Sequence, residues 1–135
     1  MEHWLAGLTA AAAAWLINRY LVSRGGDKAV IWFVPPLEEV LKTGSSLLIG
    51  ASIPLAHGVF GLLEAVHDYL ASPRWGLWAG LSSIATHYFL GIWTVLFYNY
   101  YSSWFWAILS ASLLHTLWNL IMVDFFSRLL KRQKT

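Results

Sequence analysis

The sequence has no cysteine, which excludes a disulfide framework, a zinc-finger site and a thiol nucleophile. Charge is also scarce. Asp, Glu, Lys and Arg make up 12% of the 135 residues, against roughly 25% in ordinary soluble domains. Proline occurs four times, twice as the adjacent pair Pro35-Pro36. There is no internal repeat, no low-complexity tract beyond Ala10 to Ala14, and no polar stretch long enough to form a soluble domain. What fills the chain instead is apolar: 58% hydrophobic residues and 16% aromatics, nine of them Trp. This composition excludes a disordered chain, a coiled coil and a conventional soluble enzyme.

A bilayer core of about 30 Å takes about 20 apolar residues per helix. Five segments meet that length: residues 4–22, 29–53, 54–71, 75–98 and 103–126. The first lacks a basic n-region and is read as a span, not a signal peptide. The expected fold is all-α: one polytopic transmembrane bundle over residues 1–135, with turns near 23–28, 52–54, 72–74 and 99–102 and a basic tail at 127–135. With five spans, Arg19, Arg24, Lys28, Arg74, Arg128, Lys131, Arg132 and Lys134 fall on one side, and Lys42 alone lies within a span. The positive-inside rule then predicts a cell-membrane protein with its N-terminus outside and its C-terminus cytoplasmic. On this reading the basic tail meets anionic lipid, not nucleic acid.

Glu38, Glu39, Lys42, Glu64, His87, His115 and Asn119 interrupt the apolar segments. A charge at the bilayer centre costs about 2.5–3.5 kcal/mol on insertion scales, so such groups face the bundle interior and mark function. Counted inward from the basic ends at 1.5 Å per residue, Glu38, Glu64, His87 and His115 all lie roughly 14–18 Å deep, on four different helices. The pairs Glu38/Lys42, Phe60/Glu64, His87/Gly91 and His115/Asn119 each share a helix face at i, i+4 spacing. Gly44, Gly58, Gly61, Gly80 and Gly91, with Ser45, Ser46, Ser82 and Ser83, permit close helix approach. Pro35-Pro36 breaks the second segment beside its carboxylates, which is tolerated at membrane depth where backbone lines a cavity. A hydrated polar cavity within the bundle is therefore expected.

Two carboxylates, two imidazoles and an amide in one cavity suit the activation of water. A buried Glu serves as general base, with Glu38 preferred and Glu39 paired to Lys42 or another donor. His and Asn donate to a developing oxyanion. No serine stands beside a base as a nucleophile. A metal version uses Glu64, His87 and His115 as a two-His, one-carboxylate set for zinc, with Glu38 as base. Spacing alone does not choose between the two.

The run Pro35-Pro36-Leu37-Glu38-Glu39-Val40-Leu41-Lys42 resembles the EExxK motif of the PrsW family of intramembrane proteases. Phe60 to Glu64 is similar to its FxxxE motif, and His87 to Gly91 and His115 to Asn119 are similar to its two His-bearing blocks. The family is distantly similar to the CAAX-protease and bacteriocin-processing membrane proteases. The resemblance implies cleavage of membrane-anchored proteins such as anti-sigma factors. It also implies a catalytic set of Glu38, Glu39, Glu64, His87 and His115, with Asn119 added from the related signature.

Blander readings stand beside these. Glu38 and Glu39 could be an interfacial pair at a helix N-terminus. His87 and His115 could be satisfied core histidines, and Asn119 could be interhelical glue. His57, His67 and Asp68 read as rim or structural residues, and the Trp and Tyr near segment ends as an aromatic belt. Two other functions fit the same polar groups: a non-catalytic scaffold subunit, and a proton- or cation-coupled transporter.

Overall fold

The structure is a computed structural model that describes residues 1–71 and 75–132, with side chains described through Phe125. The expected turn at 72–74, and the side chains of the basic tail, lie outside the described residues. Six helices follow one another: α1 (Glu2–Gly25), α2 (Asp27–Trp32), α3 (Val34–Ile49), α4 (Ile53–Ala71), α5 (Gly76–Tyr101) and α6 (Trp104–Arg132). No strand occurs among the described residues.

By length and composition, Glu2–Gly25, Gly76–Tyr101 and Trp104–Phe125 are long and apolar enough to cross a membrane. The expected segment 29–53 is not one helix. It divides at Phe33 into α2 and α3, with prolines at the first positions of α3, where a missing N–H costs nothing and the fixed φ suits a helix start. The expected connection at 23–28 contracts to Gly26, which takes φ 52° between α1 and α2. At the far end, Tyr98 stacks on Trp104 with ring centroids 3.6 Å apart, closing the α5–α6 turn.

Residue distribution inverts that of a water-soluble fold. Leu48, Leu70, Trp78 and Leu16 are exposed, whereas Glu39, Lys42, Thr43 and His57 are buried completely. Alanines at i, i+4, i+8 (Ala6, Ala10 and Ala14) seat α1 against the bundle. Small residues at contacts and large apolar residues outside are what a lipid environment selects, because burying Leu there gains little over leaving it in contact with acyl chains. Exposed Trp4, Trp32, Trp78, Tyr100 and Trp106 lie toward helix ends, as an interfacial belt requires.

The α4–α5 hairpin is the most extensive helix pair. Its closeness depends on glycine. A Cβ on Gly91 would lie 2.7 Å from Pro54 Cα and 2.9 Å from His57 Cβ, and one on Gly61 would lie 3.0 Å from His87 Cβ. Gly44, by contrast, faces open space and supports no close approach. Gly91→Ala is expected to push α5 away from α4 and destabilise the fold by about 1–3 kcal/mol, measured as a fall in unfolding midpoint in detergent.

Candidate active site

Four helices deliver side chains to one buried cluster. On α3, Glu38, Glu39 and Lys42 are almost wholly buried, because i, i+3 and i+4 positions share the face turned toward the other helices. From α4 comes Glu64, from α5 His87 and from α6 His115. The structure thus brings together the residues the sequence singled out on separate helices.

The hydrogen bonds form a continuous chain. Lys42 Nζ donates to Glu39 Oε1 at 2.6 Å and lies 2.8 Å from His87 Nδ1. A lysine ammonium has donors and no acceptor, so His87 Nδ1 accepts and its Nε2 carries the hydrogen. That Nε2–H donates to Glu64 Oε2, which also accepts from Ser83 Oγ at 2.8 Å. On the other side, His115 Nδ1 lies 2.9 Å from Glu39 Oε1. A carboxylate only accepts, so this nitrogen donates, and the neutral ring is left with its lone pair on Nε2. His115 Nε2 lies 3.9 Å from Glu38 Oε2, while Glu38 Oε1 accepts from Asn18 Nδ2 at 2.7 Å.

Glu38 Oε2 is buried and has no protein hydrogen-bond donor. The two groups facing each other across the gap are both acceptors. A separation beyond about 3.5 Å between polar groups is where a bridging water belongs, and a water holds two donors, one for each side.

Below the cluster, Phe60 supplies an aromatic floor. Lys42 Nζ stands 4.7 Å from its ring centroid and His87 meets it edge-on at 5.0 Å. Cation–π attraction of this kind strengthens when the cation is desolvated. The Phe60/Glu64 spacing therefore places the ring under the ions and the carboxylate beside them.

Three further residues belong to the cluster. Asn18, on α1, holds Glu38. Ser83 holds Glu64, beyond the packing role its size suggests. His57, read as a rim or structural residue, is of the second kind: it is fully buried, with Nδ1 3.8 Å from Glu39 Oε2 and Nε2 3.4 Å from Thr43 Oγ1. A polar amide or imidazole in an apolar helix is itself a signal, and Asn18 carried that signal without a motif around it. His67 is exposed and Asp68 half-exposed, as rim residues. One N–H of Asn119 is committed to Val30 O at 2.9 Å, tying α6 to α2.

A cleft of about 640 Å³ opens between α1 and α4 onto Glu38 and Glu64. Its walls are largely apolar, with Leu8, Ala11, Ala12, Trp15, Val22 and Leu63 among them.

Glu38, His87 and His115 present ligand atoms within 4.8 Å of one another. The trio therefore uses Glu38, whereas Glu64 is hydrogen-bonded to His87. Composition suits zinc, but the hydrogen bonds do not. With Lys42 donating to Nδ1 and Nε2–H given to Glu64, His87 has no lone pair to offer, and an ammonium stands beside it. The residues as arranged do not fit a zinc ion.

No family model, curated protein or solved structure matches the chain.

Proposed function

We propose that this chain is an intramembrane endopeptidase that cleaves a membrane-anchored protein with a water activated by Glu38. The observation that carries the proposal is the buried, donor-free Glu38 Oε2. It faces His115 Nε2 at 3.9 Å, and the Glu38 side chain also lines the apolar cleft. The resemblance of the Glu- and His-bearing blocks to the PrsW family supports the same chemistry and a substrate of the anti-sigma-factor kind.

In this proposal α1, α2 with α3, α4, α5 and α6 make five crossings, and the ion cluster lines a polar cavity within the bilayer. The N-terminus is outside and the basic C-terminus cytoplasmic. Water donates one hydrogen to Glu38 Oε2 and the other to His115 Nε2. Its oxygen attacks the peptide carbonyl carbon while Glu38 takes the proton. When the C–N bond breaks, Glu38 returns that proton to the leaving amine, so an acid and an amine form from one peptide bond and one water.

Glu39, fixed by Lys42, holds His115 in the tautomer that accepts from water. This is the orienting role a carboxylate plays toward a catalytic imidazole. Lys42 also keeps a positive charge within the cluster as negative charge develops on the substrate. No step passes through a metal.

The test is proteolysis in lipid nanodiscs against a panel of single-span membrane proteins. The expected result is a new N-terminus in or beside the span, present with the wild type, absent with His115→Ala and unchanged by a zinc chelator. A correctly inserted His115→Ala variant that cuts as well as the wild type would overturn the mechanism.

A further inference from the structure

The ion cluster is reached by a second cavity, separate in character from the apolar cleft. It holds about 140 Å³ between α4, α5 and α6, well above the ~10–15 Å³ that one water requires. On α5, Ala79, Ser82, Ser83 and Thr86 line it at i, i+3, i+4 and i+7 spacing, which is one helix face. Opposite them stand Glu64 and Asp68, one turn apart on α4, and on α6 Asn119 between the apolar Trp118 and Met122.

The inner end of this cavity is the cluster itself. His87 and His115 line it, and Glu64 lines both this cavity and the cleft. The outer end lies near the start of α5, since Ala79 is three residues from Gly76. From Ala79 to His87 is about 12 Å along the helix at 1.5 Å per residue.

We infer that this hydroxyl- and carboxylate-lined cavity is a water-filled passage, running from the α5 N-terminal end of the bundle to the ion cluster. Hydroxyls, an amide and two carboxylates on three helices give water its two to four partners at each step. The cleft between α1 and α4 presents mostly carbon and offers few such partners. The two openings therefore have different guests: an apolar chain segment on one side, water on the other. The assignment of the passage rests on its own geometry. Only the use of its water for hydrolysis rests on the endopeptidase reading.

The chain's lack of cysteine makes the passage directly testable. Single variants Ser82→Cys, Thr86→Cys and Tyr88→Cys are placed in nanodiscs and treated with a charged, water-soluble thiosulfonate reagent, which reacts with thiolate and therefore in water. Tyr88 is exposed and, two residues on from Thr86, stands on the opposite side of α5 at nearly the same height. Cysteine is close in size to serine and threonine, so the buried-side variants keep the fold.

Labelling at positions 82 and 86 is expected to be about tenfold or more faster than at 88, because thiolate forms readily only where water reaches the sulfur. Adding Ala79→Trp, which fills the outer end, is expected to slow labelling at 86 by a similar factor. Labelling at 86 no faster than at 88 overturns the passage. Labelling at 86 that is fast and indifferent to Ala79→Trp in a folded protein overturns its direction. Neither readout requires proteolysis, so failure of the passage and failure of the endopeptidase reading are seen separately.

Discussion

Glu38→Gln is expected to lower turnover by about 10²–10⁴-fold, the contribution typical of a positioned general base, while leaving substrate capture intact. Glutamine keeps the shape of glutamate, and its amide oxygen can still accept from Asn18 Nδ2, which lies 2.7 Å from Glu38 Oε1. What it loses is the ability to take a proton at the position facing His115 Nε2. The variant should therefore remain folded and still bind a single-span substrate in a pull-down or crosslinking assay. Steady-state cleavage in nanodiscs would show the loss in kcat, with KM nearly unchanged. Glu39→Gln offers a contrast, since that carboxylate touches Lys42 and His115 and not the gap. Its loss should loosen the cluster and lower stability as well as rate. A Glu38→Gln protein with wild-type turnover would remove Glu38 from the chemistry.

The second large effect is on stability. Lys42→Met is expected to destabilise the protein by about 3–5 kcal/mol, the cost of leaving a buried partner charge uncompensated. Glu39 and Lys42 are both fully buried, and their 2.6 Å contact is the shortest route by which either charge is balanced. Methionine retains the apolar stem over Phe60 but supplies no donor to Glu39 Oε1 or His87 Nδ1. The double variant Glu39→Gln/Lys42→Met removes both charges and should recover much of the loss. A double-mutant cycle on thermal unfolding measures that coupling. If the single variant unfolds at the wild-type temperature, Lys42 is not what balances Glu39 and ties α3 to His87 of α5.

The helical character of the chain was open to inspection in its sequence, since apolar segments of span length admit few alternatives. So was the meeting of Glu38, Glu64, His87 and His115. Equal depth on neighbouring helices follows from residue counting, and facing follows from the cost of pointing such groups at lipid. Which atoms meet was not legible. Lys42 and His87 are 45 residues apart, and their contact depends on the rotation of α5 about its own axis. Gly91 helps set that rotation by admitting Pro54 and His57, a tertiary effect with no local signature. The same closeness draws His57 inward, which decides between the rim and structural roles its sequence position left open. Asn18 illustrates a different gap. An amide in an apolar helix announces that it has a partner, but α1 carries no spacing that names Glu38 as that partner. The break at Phe33 illustrates a third. Pro35-Pro36 signals an interruption, and the proline ring fits a helix start, so the break falls just before the pair and not at it.

The way α1 is attached has its own consequence. It rests on the bundle through alanines, which contribute shallow contacts, and among the described residues its side chains make one hydrogen bond to another helix, Asn18 to Glu38. One hydrogen bond is worth about 0.5–1.5 kcal/mol net, so polar attraction adds little to what holds the α1 wall of the cleft in place. On the proposed reading, a displacement of α1 that admitted a bulky guest sideways from the acyl chains would also untie Glu38 from Asn18. Entry of the guest and release of Glu38 would then be one mechanical event.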